Sequence, residues 1–100
     1  MKISDLRVGN TLLFQGSKGN LFGINKDFIV QYSQENDVFN CGKDEIEPIP
    51  LQPDHAKTYE LLKVIQVNDD FFASFGRLKI QIKYYHELQN FHYLINGYEL

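Results

Sequence analysis

Scarcity narrows the possibilities for this sequence before any motif does. It holds one cysteine, Cys41, so no internal disulfide can form and nothing points to an oxidising compartment. Tryptophan is absent, which leaves aromatic packing to eight Phe and six Tyr. No run approaches the ~20 apolar residues that a bilayer-crossing helix needs. The opening Met1-Lys2-Ile3-Ser4-Asp5-Leu6-Arg7 is broken by charge and lacks the apolar core of a secretory signal. A soluble cytoplasmic protein without membrane contact is the expectation. Excess positive charge is missing too: the net charge is −3 and the pI is near 5.5. A protein whose main partner is duplex nucleic acid is usually basic, because it must displace counterions from phosphate. Neither half of the chain compensates, since residues 1–50 hold five Lys/Arg against seven Asp/Glu and residues 51–100 hold five against six.

What remains is ordinary for a globular domain. One hundred residues suffice for a single domain that buries roughly 60–70% of its extended surface. The clearest element is the stretch from Tyr84 to Gly97. Tyr84, Leu88, Phe91 and Ile95 recur at steps of four, three and four, which puts them on one helical face. Glu87, Gln89, Asn90 and Tyr93 fall elsewhere, and Gly97 offers a left-handed cap. Such a helix needs a surface to cover.

The first half of the chain reads as short strands. Residues 11–15 alternate, with Leu12 and Phe14 on one face; residues 16–20 form a turn cluster; residues 21–24 make a second strand. Asn25-Lys26-Asp27 turns the chain into residues 28–32, the strongest strand pattern present, and residues 38–41 make a fourth. Residues 43–46 read as one helical turn. Pro48 and Pro50 lack backbone donors and force extended geometry, which fits an edge strand. Five short strands with one helical turn before the last predict an SH3-like small barrel, with an open meander as the alternative. Pro53 and Asp54 then suit the start of a helix, expected over 52–66 with Ala56, Tyr59, Leu62 and Ile65 inward. Residues 71–75 and 78–82 read as a hairpin closed near Gly76, leading into the final helix. The expected fold is α+β in one domain, residues 1–100. Its lobes are an all-β one over 1–51 and a helix–hairpin–helix one over 52–100.

Three segments occur in order: Leu6-Arg7-Val8-Gly9-Asn10, Ile46-Glu47-Pro48-Ile49-Pro50-Leu51 and Tyr85-His86-Glu87-Leu88-Gln89-Asn90. Together they resemble a family of short uncharacterised proteins from Bacteroides-type bacteria and their phages and prophages. The resemblance covers about half of the chain. The sequence departs from the family pattern after residue 66, where a Gly-Phe exit is missing, and at His92, where the family carries an aromatic or aliphatic residue. The resemblance implies a genomic setting and a fold, with no chemistry attached.

Candidate sites are few. His86, Gln89, Asn90 and Tyr93 lie along one side of the last helix and could hydrogen-bond a peptide or a base edge. The plainer interpretation is that they satisfy backbone groups or cap a lobe interface. His86 and Glu87 are adjacent on a helix and so make a poor acid–base pair. His55, His86 and His92 lack metal-ligand spacing, and Cys41 reads as a small core residue, so no metal and no cofactor is expected. Arg77, Lys79 and Lys83 could touch phosphate beside Tyr84 or Tyr85, or simply form the solvated face of the hairpin. The glycines at 16, 19 and 23 are not followed by the Lys-Ser/Thr of a phosphate cradle. The function expected is binding of another protein without catalysis, as an accessory of a phage or mobile element. Nucleic-acid association through Arg77, Lys79 and Lys83 is the alternative, a small hydrolase or nuclease the third, and a homodimer is open.

Overall fold

The computed structural model describes residues 6–24, 30–35 and 37–100. The chain divides into two compact units, Met1–Ile49 and Pro50–Leu100, and each contains one antiparallel sheet. The class is α+β, with one helix at the C-terminal end.

In the first unit the strands are β1 (Thr11–Phe14), β2 (Ser17–Ile24), β3 (Val30–Gln34), β4 (Asp37–Cys41) and β5 (Ile46–Glu47), with a 3-10 turn at Lys43–Glu45 before β5. Their order is β4-β3-β2-β1-β5, which leaves β4 and β5 as separate edges of an open sheet. The turn expected over 16–20 is shorter than its composition implied. Only Gln15 and Gly16 turn, both with positive φ (50° and 82°), and Phe14 already faces Ser17 across the ladder. Two left-handed residues match the twist of the flanking strands, so the hairpin closes at once. The expected turn at Asn25-Lys26-Asp27 and the strand residues Phe28 and Ile29 lie outside the described residues.

The inner face of this sheet is aromatic. Leu12 and Phe14 lie on it as the alternation predicts, Leu12 being fully buried. Phe39, Tyr32 and Leu21 form one row across β4, β3 and β2. The Phe14 and Phe39 rings sit 4.7 Å apart, and each lies 5.7 Å from Tyr32. Tyr32 reaches over β2 to donate its hydroxyl hydrogen to the Leu12 carbonyl on β1. It can do so because Gly19 stands beneath it: a Cβ there would meet Tyr32 Cε1 at 2.5 Å and the Ser33 carbonyl at 2.6 Å. The opening Leu6-Arg7-Val8-Gly9-Asn10 also has a structural explanation. Gly9 (φ 101°) turns the chain, Asn10 Oδ1 accepts from the Arg7 amide at 2.7 Å, and the Asn10 carbonyl accepts from the Leu21 amide at 2.8 Å.

The second unit contains β6 (Thr58–Tyr59), β7 (Leu62–Val67), β8 (Asp70–Phe75), β9 (Leu78–Ile82) and α1 (Tyr85–Asn96), with the sheet in the order β6-β7-β8-β9. The helix expected over 52–66 does not form. Pro53 does sit at the start of a helical turn, but that turn is a 3-10 piece ending at His55. Beyond it the chain makes a hairpin, with Tyr59 opposite Leu62 and Glu60 at φ 48°. The spacing of Ala56, Tyr59 and Leu62 fits a helix, yet Leu62 and Val64 are buried while Lys63 is exposed, which is a period of two. Val64, Ile65 and Val67 are β-branched and lose little in a strand, and the β8 ladder rewards them.

The hairpin of β8 and β9 closes at Gly76 and Arg77 as expected. The inner face of the sheet carries Leu62, Val64, Phe71, Ala73 and Ile82, and α1 covers it with Leu88 and Phe91. Tyr84 is the exception to the expected stripe: it is the N-cap and is exposed, while its neighbour Tyr85 packs on the core. Glu87 fixes this start by accepting from the Lys83 and Tyr84 amides, each at 2.9 Å. Gly97 ends the helix in the left-handed region at φ 79°.

Two outcomes are expected from the first unit. Gly19→Ala should lower stability by ~1–3 kcal/mol through overpacking, read as a lower denaturant midpoint at unchanged slope. Burial pushes the Tyr32 phenol from its ordinary 10.0 up to about 12, with the neighbouring Cys41 adding to the rise. Its folded pKa lies above its unfolded one, so its contribution is complete below pH 10 and is lost as pH climbs from 10 to about 12. Chemical denaturation across that window should show stability falling in the wild type, and falling less in Tyr32→Phe.

Candidate functional site

The four polar residues singled out on the last helix occupy different environments. His86 and Gln89 are each 3% exposed, Asn90 is half-buried, and Tyr93 stands in solvent. The His86 ring stacks on Tyr84 at 5.9 Å with the planes 9° apart. A ligand arriving from solvent therefore meets Tyr93 and part of Asn90 first.

The other histidines are engaged in packing. His92, 3% exposed, sets its Nδ1 3.2 Å from the Tyr98 carbonyl, and its ring makes edge contacts with Tyr59 and Tyr98 at 5.9 and 5.3 Å. An aromatic or aliphatic residue would fill the same slot, so His92 acts as a flat packing residue with one polar tip. Tyr98 in turn donates its hydroxyl hydrogen to Glu60 Oε1, and this bond holds its phenol above the usual range. His55 Nδ1 accepts from the Gln52 amide at 3.0 Å, and its ring lies 5.0 Å from Tyr85. Among the described residues no three His, Cys, Asp or Glu side chains are placed to hold a metal ion. Cys41 is buried on β4, and burial followed by the charge of Glu45 raises its thiol pKa, the opposite of what a nucleophile needs. No described helix is long and apolar enough to cross a membrane.

The cationic row is partly assembled. Arg77 sits in the hairpin turn, Lys79 on β9 and Lys83 just beyond it, all exposed. The Lys79 ammonium lies 4.9 Å above the Phe72 ring of β8. The ladder also brings Lys63 into this row, as Lys63, Ser74 and Lys79 face one another across β7, β8 and β9. Sequence reasoning missed the Lys63–Lys79 row and the Phe72 beside it because 63 fell inside the expected helix; the alternation of Leu62, Lys63 and Val64, followed by β-branched Ile65 and Val67, was the signal available. The sheet face away from α1 thus has Ile65 and Phe72 at its centre and Lys63 and Lys79 at one end. That arrangement can attract negative charge and bury apolar area, but it offers no group poised for proton or acyl transfer.

The segment expected as an open proline-bearing edge, residues 47–51, is divided between the units. Ile46 and Glu47 pair with β1, whereas Pro50 bridges to Tyr84 and the Leu51 amide donates to the Lys83 carbonyl at 3.1 Å. Comparison of the chain with protein-family models, with curated proteins and with solved structures finds no match.

Cys41 provides a direct test of this assignment of roles. Iodoacetamide at mildly alkaline pH should alkylate it at least about tenfold more slowly in the folded protein than in denaturant, followed by mass spectrometry.

Proposed function

We propose that the chain is a non-catalytic protein-interaction module. The open sheets carry this proposal. β4 and β9 are edge strands, and each carries a half-exposed apolar residue, Val38 at 51% and Leu78 at 49%. An unpaired strand edge is a template for another chain, and it is a common mode of peptide recognition. The structural roles of His55, His92 and Cys41 support the same conclusion, since each is already used in packing. The strand order β4-β3-β2-β1-β5, with a 3-10 turn before β5, supports an SH3-like assignment for the first unit. The resemblance to short phage and prophage proteins supports a role in a mobile genetic element, as an accessory that engages a host or phage protein in the cytoplasm.

A second possibility is single-stranded nucleic acid, favoured by the Lys79–Phe72 contact next to Arg77 and Lys83. The two are separated by one set of measurements. The immobilised full chain is exposed to lysate of a Bacteroides-type host, and a captured protein is then purified and recombined with it. A defined complex that persists in added salt and slows amide exchange along a strand edge is the expected result. Binding only to an oligothymidylate, weakening steeply with salt and abolished by Lys79→Glu, would replace the protein-binding proposal with the nucleic-acid one.

A further inference from the structure

The geometry points to the open edge of β9 as the docking site for an extended segment of another protein, one that alternates acidic and apolar residues. This rests on the protein-binding function proposed above and specifies its site and partner class.

The register of β9 decides which of its backbone groups are open. A two-residue turn makes Phe75 and Leu78 a hydrogen-bonded pair, so Leu78, Ile80 and Ile82 direct their amides and carbonyls at β8. Lys79 and Gln81 must then direct theirs away from the sheet. Lys83, the next residue of that phase, confirms it: its carbonyl accepts from Leu51 and its amide donates to Glu87. The Pro50–Leu51 segment therefore occupies the far end of this same edge. The groups of Lys79 and Gln81 continue the line that Leu51 begins, and among the described residues no other strand pairs there.

The side chains flanking this edge decide what it would accept. An added strand lays alternate side chains beside those of β9. On one face it meets Lys79, with Arg77 and Lys83 flanking; no acidic residue occurs between Asp70 and Glu87. On the other face it meets Leu78, which is 49% exposed, and the half-buried Ile80. The complement is an acid on the first face and an aliphatic residue on the second.

Charge disfavours a second copy of the chain as the occupant. Two β9 strands paired about a two-fold axis can centre on Lys79, Ile80 or Gln81. Centring on Lys79 sets Lys79 against itself, and centring on Gln81 sets Lys79 against Lys83. Both thus oppose cation to cation, which is destabilising in a ladder. Centring on Ile80 sets Lys79 against Gln81 and brings the turn residue Arg77 beside Lys83. Lysine on an edge strand guards against neutral and self-like strands, and an acidic strand is the kind it admits.

The test uses the full chain and a capped peptide of alternating Glu and Val, followed by amide NMR and hydrogen exchange. The expected result is slowed exchange at the Lys79 and Gln81 amides, with little change at Val38 and Asn40 on β4. A peptide N-methylated at alternate residues, or one alternating Lys and Val, should lose this protection. Lys79→Glu should weaken the Glu-Val peptide by about tenfold and improve the Lys-Val peptide. Gln81→Pro removes an outward donor without touching the β8 ladder, and it should abolish protection at Lys79. Peptide binding with unmoved β9 amides would overturn the edge assignment while leaving protein binding intact. No binding of any peptide, together with β9 shifts on adding oligothymidylate, would overturn both.

Discussion

An antiparallel sheet has two faces, and the described residues of the second unit form one α-helix, of twelve residues, with which to cover them. That constraint shapes the second unit. A helix of this length is marginal in water on its own, and a four-stranded sheet with a bare apolar face is no better off. Each supplies what the other lacks. Leu88 is fully buried and Phe91 nearly so, against Leu62, Val64, Phe71, Ala73 and Ile82. Fully burying one such side chain stabilises by ~1.5–3 kcal/mol, so the seam outweighs any helix propensity of the residues that form it. The entry and exit of the helix are set by local chemistry: the Glu87 carboxylate at the first turn and Gly97 in the left-handed region at the last.

The first unit meets the same demand without a helix. Its described strands cover one another through three aromatic rings, and Tyr32 spans the width of three strands to reach Leu12. The span depends on a side chain that is absent. Gly19 has no requirement for positive φ; it is needed because the Tyr32 ring and the Ser33 carbonyl already fill the space a Cβ would take. Here a glycine in a strand marks a close approach rather than a weak point.

Much of this was legible where local signals and tertiary contacts agree. The last helix, its glycine cap, the hairpin at Gly76 and the facing of Leu12 and Phe14 all follow from spacing alone. The strand over 62–67 did not, because Ala56, Tyr59 and Leu62 satisfy a helical period while Leu62 and Val64 satisfy a strand period. Pro53 then tipped the balance toward a helix start that lasts one turn. Long-range pairing with β8 decides the matter, and a single sequence does not display it. The same error hid half of the cationic face, since Lys63 approaches Lys79 only through that ladder. The burial of His86 and Gln89 was equally invisible, because helical phase says which residues share a side and not which side is covered.

The distribution of polar residues follows from these packing solutions. Covering one face of the second sheet with α1 leaves the other face and the β9 edge as surfaces that the unit does not use. His92 sits where a flat ring fits between Tyr59 and Tyr98, and the thiol sits on a buried strand position; both environments suppress reactivity by removing access. Cations, by contrast, concentrate on and beside β9, an edge strand whose Lys79 and Gln81 face away from β8. A bare edge would invite indiscriminate pairing, and charge of a single sign converts that liability into selection by charge. The separation is therefore between side chains consumed in packing each small sheet and a short stretch, from Arg77 to Lys83, whose chemistry the fold leaves available.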